Sequence, residues 1–524
     1  MAQKKTADIA AVIHIGGNAA RLRISQVKKG KIFDLEKLEY PLMIGHEVFS
    51  NKKISFSTIH ELNKALAGFM QLIGEYGVEE YRAVAASALR DAQNRILVVD
   101  QLKVQNGIDV EVLENSVEKT LIYYKISRTL DEAGILLPGR TLYTFVGSGT
   151  LGLALAEGQN MVYAQNLPMG ALKYNEIITD IKRNTEEFSQ IAEEYLQAVL
   201  KSQNFLNDSE HIHNLVISGS SLELVARLTD TAEENGIYRV PRKKIVALYD
   251  KLKDANSYAA AAKLNISENA ASLLYAVLTI YTELMRRVDV TEVILPRAAL
   301  TESIMEQMLI SGAKKTYREY IRQNALSCAR KMAVVYECNE AHGEFVLNAV
   351  VTIFDKLKKL HGLGANERLV LELAAILHEC GNVVSARNHL AAAFDMLRRS
   401  EIYGVTFKQR LLAAYVVKYD EFSAPNVGDA DYAALTDKER TLVSKLAAMF
   451  RLAKALDVSG RQKINSLAVQ YKENSVLITA STAEGVFFEE WAFKDCAAFF
   501  KLVFGVAPIL RIKRDIQGLS GGTV

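Results

Sequence analysis

Two short stretches constrain this chain more than anything else in it. Residues 10–15, Ala-Ala-Val-Ile-His-Ile, read as a buried strand running into Gly16-Gly17-Asn18, with Leu22 to Ser25 as the returning strand of a hairpin. About 130 residues later, Leu142 to Val146 is again apolar or β-prone, Gly147-Ser148-Gly149-Thr150 follows, and Leu153 to Ala156 continues as a strand. The same unit met twice, strand, turn of small residues, strand, predicts a duplicated α/β domain. A third such turn follows Leu215-Val216-Ile217 at Ser218-Gly219-Ser220-Ser221. Turns of this kind expose consecutive backbone N–H groups, which cradle phosphate oxygens because no bulky side chain blocks the approach. One such loop is usually only a turn. Two in corresponding positions of a repeat would grip a phosphate chain from both sides.

Between these units the pattern turns helical. Ile59, Leu62, Leu66, Phe69 and Ile73 share one face, with Thr58 and Glu61 as a capping box before them. Val110 to Leu113 reads as a strand followed by a helix from about Val117. After about residue 300 long helices take over: Val346, Val350, Ile353, Leu357 and Leu360 mark one helix face, and Leu369 to Cys380 is a second apolar helix. Near the end, Val476 to Thr479 and Val486 to Trp491 alternate like strands, Asp495 to Phe504 reads as a helix, and Ser520-Gly521-Gly522 as a frayed tail.

A chain of 524 residues has room for three or four domains. With 63 basic against 61 acidic residues it is no generally basic nucleic-acid binder. The four cysteines, Cys328, Cys338, Cys380 and Cys496, form no CxxC pair, which argues for reduced thiols rather than a disulfide framework or zinc ribbon. No apolar run approaches the roughly 18 residues of a membrane span. The opening Met-Ala-Gln-Lys-Lys lacks the apolar region of a secretory signal, so the expectation is a cytoplasmic protein without a membrane partner.

Five segments in order carry a resemblance to a known family. Residues 11–22 (Ala-Val-Ile-His-Ile-Gly-Gly-Asn-Ala-Ala-Arg-Leu) resemble the first phosphate loop, D-x-G-S-N-S-x-R-L, of the exopolyphosphatase and guanosine pentaphosphate phosphohydrolase (Ppx/GppA) family. Residues 86–94 resemble its T-S-A-L-R-E-A-x-N segment, residues 113–123 its S-G-x-E-E-A-x-L-I-Y segment, and residues 145–153 its D-I-G-G-G-S-T-E-L loop. Leu167-Pro168-Met169-Gly170-Ala171 resembles the L-P-L-G-A that follows. In the second half, residues 342–363 and 374–381 resemble the family's helical, HD-related domain, and Arg451 to Asp457 with Glu490-Trp491 and Phe504-Gly505 its C-terminal segment. The resemblance implies an actin-like, sugar-kinase-like fold: lobe I at 1–130 with the first loop and lobe II at 131–308 with the second. A helical HD-like domain at 309–430 and a small α+β domain at 431–524 complete it. It also implies a polyphosphate or guanosine alarmone ligand, a magnesium cofactor and a homodimer.

The departures from the family pattern fall on its chemistry. The aspartates heading both loops, which help hold a divalent cation in the family, are His14 and Phe145 here, and the glutamate after the second loop is Gly152. Neither an imidazole nor a phenyl ring supplies the hard oxygen that magnesium takes. Magnesium is therefore expected to bind weakly or not at all, and no metal ligand is assigned. An ungapped reading turns the paired glutamates into Val117 and Glu118. Glu118 is the candidate catalytic base, and Gly16, Gly17, Asn18, Arg21, Arg90, Gly147, Ser148, Gly149 and Thr150 are the candidate phosphate-binding residues. Each has a plainer reading: Arg21 and Arg90 as structural ion pairs, Asn18 and Thr150 as turn-fixing groups, Glu118 as a solvated helix residue, and His14 as a buried histidine bonded to the neighbouring loop.

His342, His378 and His389 remain in the HD-like segment with Glu379 beside them, where core or helix-surface histidines are the plainer reading than a metal site. A basic concentration (Lys356, Lys358, Lys359, Arg368, Arg387, Arg398, Arg399, Lys408 and Arg410) resembles a polyphosphate channel, but interleaved Asp355, Glu367, Glu372, Asp395 and Glu401 favour solvated helix faces. Three functions compete: a phosphoanhydride hydrolase using Glu118, a degenerate family member that binds a phosphate chain without hydrolysing it, and an assembly protein with a vestigial cleft.

Overall fold

The structure, a computed structural model, describes residues 8–514 apart from 186, 208–211, 220, 254, 256, 421–424, 426, 427 and 473. Ser220 of the third turn and the tail at Ser520-Gly521-Gly522 lie outside the described residues. The chain forms two compact units, Met1–Asn324 and Ala325–Val524.

Unit 1 holds two sheets of matching design. The first contains β1 (Ile9–Ile15), β2 (Ala19–Lys28), β3 (Lys31–Pro41), β4 (Glu80–Ala85) and β5 (Val110–Val112), in spatial order β3-β2-β1-β4-β5. The second contains β6 (Arg140–Val146), β7 (Leu151–Glu157), β8 (Asn160–Leu167), β9 (Ile212–Gly219), β10 (Glu233–Glu234), β11 (Ile237–Pro241) and β12 (Glu292–Pro296). Its order is β10-β11-β12-β9-β6-β7-β8, and its stretch β8-β7-β6-β9-β12 repeats the first sheet strand for strand. In each repeat three strands meander antiparallel and two more add in parallel to the free side of the first. The duplication read from the glycine turns is therefore a duplication of topology.

Central strands in such sheets are covered on both faces, so their sequences read as unbroken apolar runs. That is why Ala10 to Ile13 and Leu151 to Ala156 are buried without alternation. Each sheet has its own apolar core. The helix Phe56–Glu75 covers the first with Ile59, Leu62, Leu66, Phe69 and Ile73, as its spacing predicts. Leu62 and Leu66 are fully buried, each contributing roughly 1.5–3 kcal/mol. Its start differs from the expected one. Ser55, not Thr58, caps it and accepts the Thr58 N–H at 3.3 Å, while the Thr58 hydroxyl is drawn to Glu47 Oε1 at 2.7 Å. The next helix of interest, Asn115–Glu132, begins two residues before the predicted Val117.

Unit 2 is helical first. Glu340–Lys356, Ala365–Leu377, Phe407–Lys418 and Asp437–Ala455 pack on one another. The face that includes Leu357 and Leu360 breaks after Lys356, where a short separate helix, Lys358–His361, takes over and ends at Gly362 with φ +67°. The last part is a sheet of β13 (Ser466–Lys472), β14 (Ser475–Thr482) and β15 (Ala507–Arg514) with one helix, Phe487–Phe504. That helix corrects the strand expected at Val486 to Trp491. The helical spacing of buried Glu489, Phe493 and Phe500 prevails, leaving Phe487, Phe488 and Trp491 exposed. All four cysteines are free thiols. No helix among the described residues is long and apolar enough to cross a membrane.

Candidate functional site

The two hairpin turns are built alike. In the first, Ile15 pairs with Ala20 and the Gly16 N–H donates to Ala19 O at 2.9 Å. In the second, Val146 pairs with Leu151 and the Gly147 N–H donates to Thr150 O at 3.0 Å. One amide of each loop is thus spent closing the turn. Among the described residues, the N–H groups of Gly17, Asn18, Ser148 and Gly149 donate to no other group of the protein.

The loops abut. A Cβ on Gly17 would stand 2.8 Å from Ser148 Oγ, so glycine is what lets the backbones meet. Ser148 Oγ also lies 3.1 Å from the hydroxyl of Ser87. The second loop is held from behind: the N–H groups of Ala171 and Leu172, at the start of the helix Ala171–Asn184, donate to Gly147 O at 2.8 Å and Ser148 O at 3.0 Å. Gly170 backs onto it so closely that a Cβ there would lie 2.5 Å from Gly149 N. The structure places seven of the residues expected from the sequence, Gly16, Gly17, Asn18, Gly147, Ser148, Gly149 and Thr150, in the two abutting loops. Sequence reasoning missed Ser87, which only the fold places beside the second loop.

The charged candidates have prior engagements. Arg21 makes a two-point ion pair with Glu39 at 2.9 and 3.2 Å. Arg90 donates to Leu113 O at 2.7 Å, to Asn115 Oδ1 and to Glu118 Oε2 at 3.0 Å. Asn94 clamps the backbone of Ile54 through both its amide atoms. Glu118 is buried between Arg90 and Lys119, whose Nζ lies 3.1 Å from its Oε1. Burial alone would raise the Glu118 pKa, but the Lys119 and Arg90 charges and their hydrogen bonds prevail and lower it. Burial pulls the Lys119 pKa down, and Glu118 opposes that fall. Lys119 also lies 4.4 Å from the centre of the Phe145 ring, a cation–π distance. Like Ser87, it is a residue of this site that the sequence did not single out.

His14 pairs across the hairpin with Arg21. Burial, then the Arg21 charge, pulls its pKa down to about 4 against a weaker opposing effect of Glu118, so the imidazole is neutral at pH 7. His14 Nε2, Arg90 Nε and Thr150 Oγ1 are buried without a hydrogen-bond partner. Orphaned polar atoms in a folded interior call for an explanation, and a polar ligand is one. Magnesium is not a fitting one. It demands near-octahedral oxygen coordination, and this region offers a neutral imidazole, a phenyl ring, a glycine at 152 and a carboxylate already held by two cations. What the loops can do chemically is donate: four free amides and nearby positive charge suit an anion.

Unit 2 holds a second polar cluster. One ligand atom each from His342, His378 and Glu379 lies within 4.8 Å of the others, an arrangement that could hold a metal ion. His342 Nδ1 hydrogen-bonds Asp457 Oδ2 at 2.8 Å, and Asp457 also accepts from the Gln462 backbone and side chain at 2.6 and 2.8 Å. His378 Nδ1 meets Ala375 O at 2.9 Å, while its buried Nε2 has no partner, and burial pushes its pKa down to about 3. His389 stands outside this group. In the basic concentration, Arg368 pairs with Asp355 and Glu372, Arg398 with Asp395, and Lys408 with Glu439. Lys408 is exposed, as on a solvated face, whereas the Glu372 carboxylate that meets Arg368 is fully buried.

A doubled sheet whose paired hairpin loops meet at their tips defines an actin-like fold, joined here to a helical C-terminal unit. Comparison with known proteins narrows the class. Residues 23–312 match the Ppx/GppA phosphatase family and residues 321–491 match Ppx/GppA phosphatase domain III. The chain therefore belongs to the Ppx/GppA phosphatase family. It is 24% identical over 161 residues to exopolyphosphatase 1 of Mycobacterium tuberculosis (strain ATCC 25618 / H37Rv), a match covering 30% of this chain and 46% of that protein. It is 22% identical over 166 residues to guanosine-5'-triphosphate,3'-diphosphate pyrophosphatase of Aliivibrio fischeri (strain ATCC 700601 / ES114), covering 32% of each. The matched segments thus span less than half the length of these curated relatives. The crystal structure of an exopolyphosphatase from Cytophaga hutchinsonii ATCC 33406 shares the fold at a TM-score of 0.51 and 16% identity, covering 57% of this chain and 97% of that one.

Proposed function

We propose that unit 1 binds a phosphate chain, polyphosphate or a guanosine alarmone, at the abutting loops, and that magnesium-dependent phosphoanhydride hydrolysis is weakened or lost. The observation that carries this reading is the state of Glu118. It is the candidate base, yet it is buried and held at 3.0 Å by Arg90 and 3.1 Å by Lys119. A carboxylate stabilised in its charged form by two cations is a poor proton acceptor, because efficient general bases have pKa values near the working pH. Hydrolysis also needs charge neutralisation at the transferred phosphoryl group and a positioned water. Each role lost with a metal costs orders of magnitude in rate. Binding needs less: the free amides of Gly17, Asn18, Ser148 and Gly149 and the enclosed cations remain.

The test is phosphate release from long-chain polyphosphate by the purified protein, with magnesium and with chelator, beside a filter-binding measurement over a range of salt. Binding that weakens with salt, without release, is the expected result. Metal-dependent release that disappears in Glu118→Ala would instead establish a hydrolase. No binding at all would leave the loops as architecture.

A further inference from the structure

The misfit to magnesium has a counterpart in what fills the space. Phe145 on β6 and Gly152 on β7 stand directly opposite each other in the register of that hairpin. Together they build a berth for one side chain. The Phe145 ring lies under the Lys119 ammonium at 4.4 Å. A Cβ on Gly152 would meet the Tyr123 hydroxyl at 2.7 Å, Lys119 Cδ at 3.0 Å and Cε at 3.2 Å, so the missing side chain leaves the space that the lysine stem and the tyrosine hydroxyl share. Nζ arrives 3.5 Å from where a Gly147 Cβ would stand, at the foot of the second loop. Burial and the Arg90 charge lower the Lys119 pKa, and the ion pair with Glu118 and the ring act against that fall in favour of the charged ammonium.

Among the enclosed groups the charge balance is uneven. Arg90 and Lys119 both contact the buried carboxylate of Glu118, Arg90 Nε also lies 4.0 Å from Oδ1 of the more exposed Asp91, and the neutral His14 adds no charge. Lys119 has three donors and spends one on Glu118. An enclosed surplus of positive charge is unfavourable until an anion joins it. A divalent cation entering the same space would be repelled. His14 Nε2, Arg90 Nε and Thr150 Oγ1 are buried without a hydrogen bond, Arg90 Nε having only the 4.0 Å ion pair with Asp91, so hydrogen-bonding requirements of the region are unmet within the chain.

We infer that Lys119 is a tethered cation that takes the place of a divalent metal, so that the loops hold a phosphate group through an ammonium and backbone amides with no metal ion. This rests on the reading of unit 1 as a phosphate-chain site. It adds that the binding is metal-independent and names the residue responsible, with Phe145 and Gly152 as the positioning pair.

The experiment is calorimetric titration of the full chain with sodium tripolyphosphate, in chelator and in excess magnesium, for the native protein, Lys119→Met, Lys119→Arg and Gly152→Ala. Tripolyphosphate is short enough to report on the loops rather than on extended basic surface. The native protein should bind equally well in both buffers. Lys119→Met should bind about 10–100-fold more weakly, the scale of one charge-assisted hydrogen bond, and Lys119→Arg should recover part of that loss. Gly152→Ala keeps the charge but displaces the lysine stem together with the Tyr123 hydroxyl, so it should weaken binding even where Lys119→Met proves too unstable to titrate. Native binding that requires magnesium, or undiminished binding in both Lys119→Met and Gly152→Ala, overturns the inference while leaving a phosphate site standing. Native protein that binds in neither buffer overturns the phosphate-site reading itself, and the inference with it.

Discussion

Replacing Glu118 by glutamine separates a structural carboxylate from a catalytic one. The side chain is 6% exposed and its partners Arg90 and Lys119 are 13% and 3% exposed. Removing the carboxylate leaves two enclosed cations facing each other, and breaking a buried ion pair from one side costs roughly 3–5 kcal/mol. Arg90 keeps Leu113 O and Asn115 as partners, which places the loss at the lower end, about 3 kcal/mol, or two decades in the unfolding constant. Urea unfolding followed by circular dichroism measures it. The pH dependence has a definite sign. The folded pKa of Glu118 lies below its ordinary value of 4.5, so its stabilisation is fully present above that pH and is lost as the pH falls through the lower folded value. The gap between native and Glu118→Gln proteins should be complete at pH 7 and close below about pH 4.5. Added polyphosphate should stabilise the variant more than the native protein, because the ligand supplies the missing anion. A variant within about 0.5 kcal/mol of native at pH 7 would refute the reasoning, since so small an effect belongs to a solvated side chain.

Other perturbations read other parts of the account. Gly170→Ala puts a methyl group 2.5 Å from Gly149 N, against backbone that cannot rotate away, and should cost about 1–3 kcal/mol in thermal unfolding and abolish phosphate-chain binding. His14 stays neutral in the fold down to about pH 4, while the unfolded chain takes up its proton near 6.5. The native protein should therefore lose up to about 3 kcal/mol between those pH values relative to His14→Gln, read from paired denaturation curves. In unit 2, His342→Ala strips one partner from Asp457, which is 1% exposed, and should destabilise that unit by about 1–3 kcal/mol in the same assay, Gln462 limiting the damage.

The hairpins were legible because a strand ending in glycine is a local signal, and its repetition predicted the doubled sheet before any contact was known. The loop residues came with them. Lys119 was not legible for a geometric reason. Consecutive residues on a helix point about a quarter-turn apart, so a lysine beside a candidate glutamate is naturally assigned to solvent. Here every residue from Glu118 to Tyr124 is buried, because the first turns of Asn115–Glu132 are enclosed on more than one side. Phe145 and Gly152 looked like two separate losses in the sequence, and only the strand register makes them one cross-strand pair. The same limit hid the bond between His342 and Asp457, which are 115 residues apart. Val486 to Trp491 misled because aromatic alternation imitates a half-buried strand, whereas the buried Glu489, hydrogen-bonded by Lys463 and Ser459, fixes the register of a helix.

The central claim is that an ammonium, not a metal, meets the phosphate at these loops. The most direct measurement is a crystal structure of the protein grown with tripolyphosphate and manganese, with anomalous data collected at the manganese edge. The account predicts a phosphate group hydrogen-bonded to the amides of residues 17–18 or 148–149 and to Lys119 Nζ, with no anomalous peak beside it. A manganese ion bridging the phosphate to oxygen ligands at the loops, with Lys119 turned away, would contradict it.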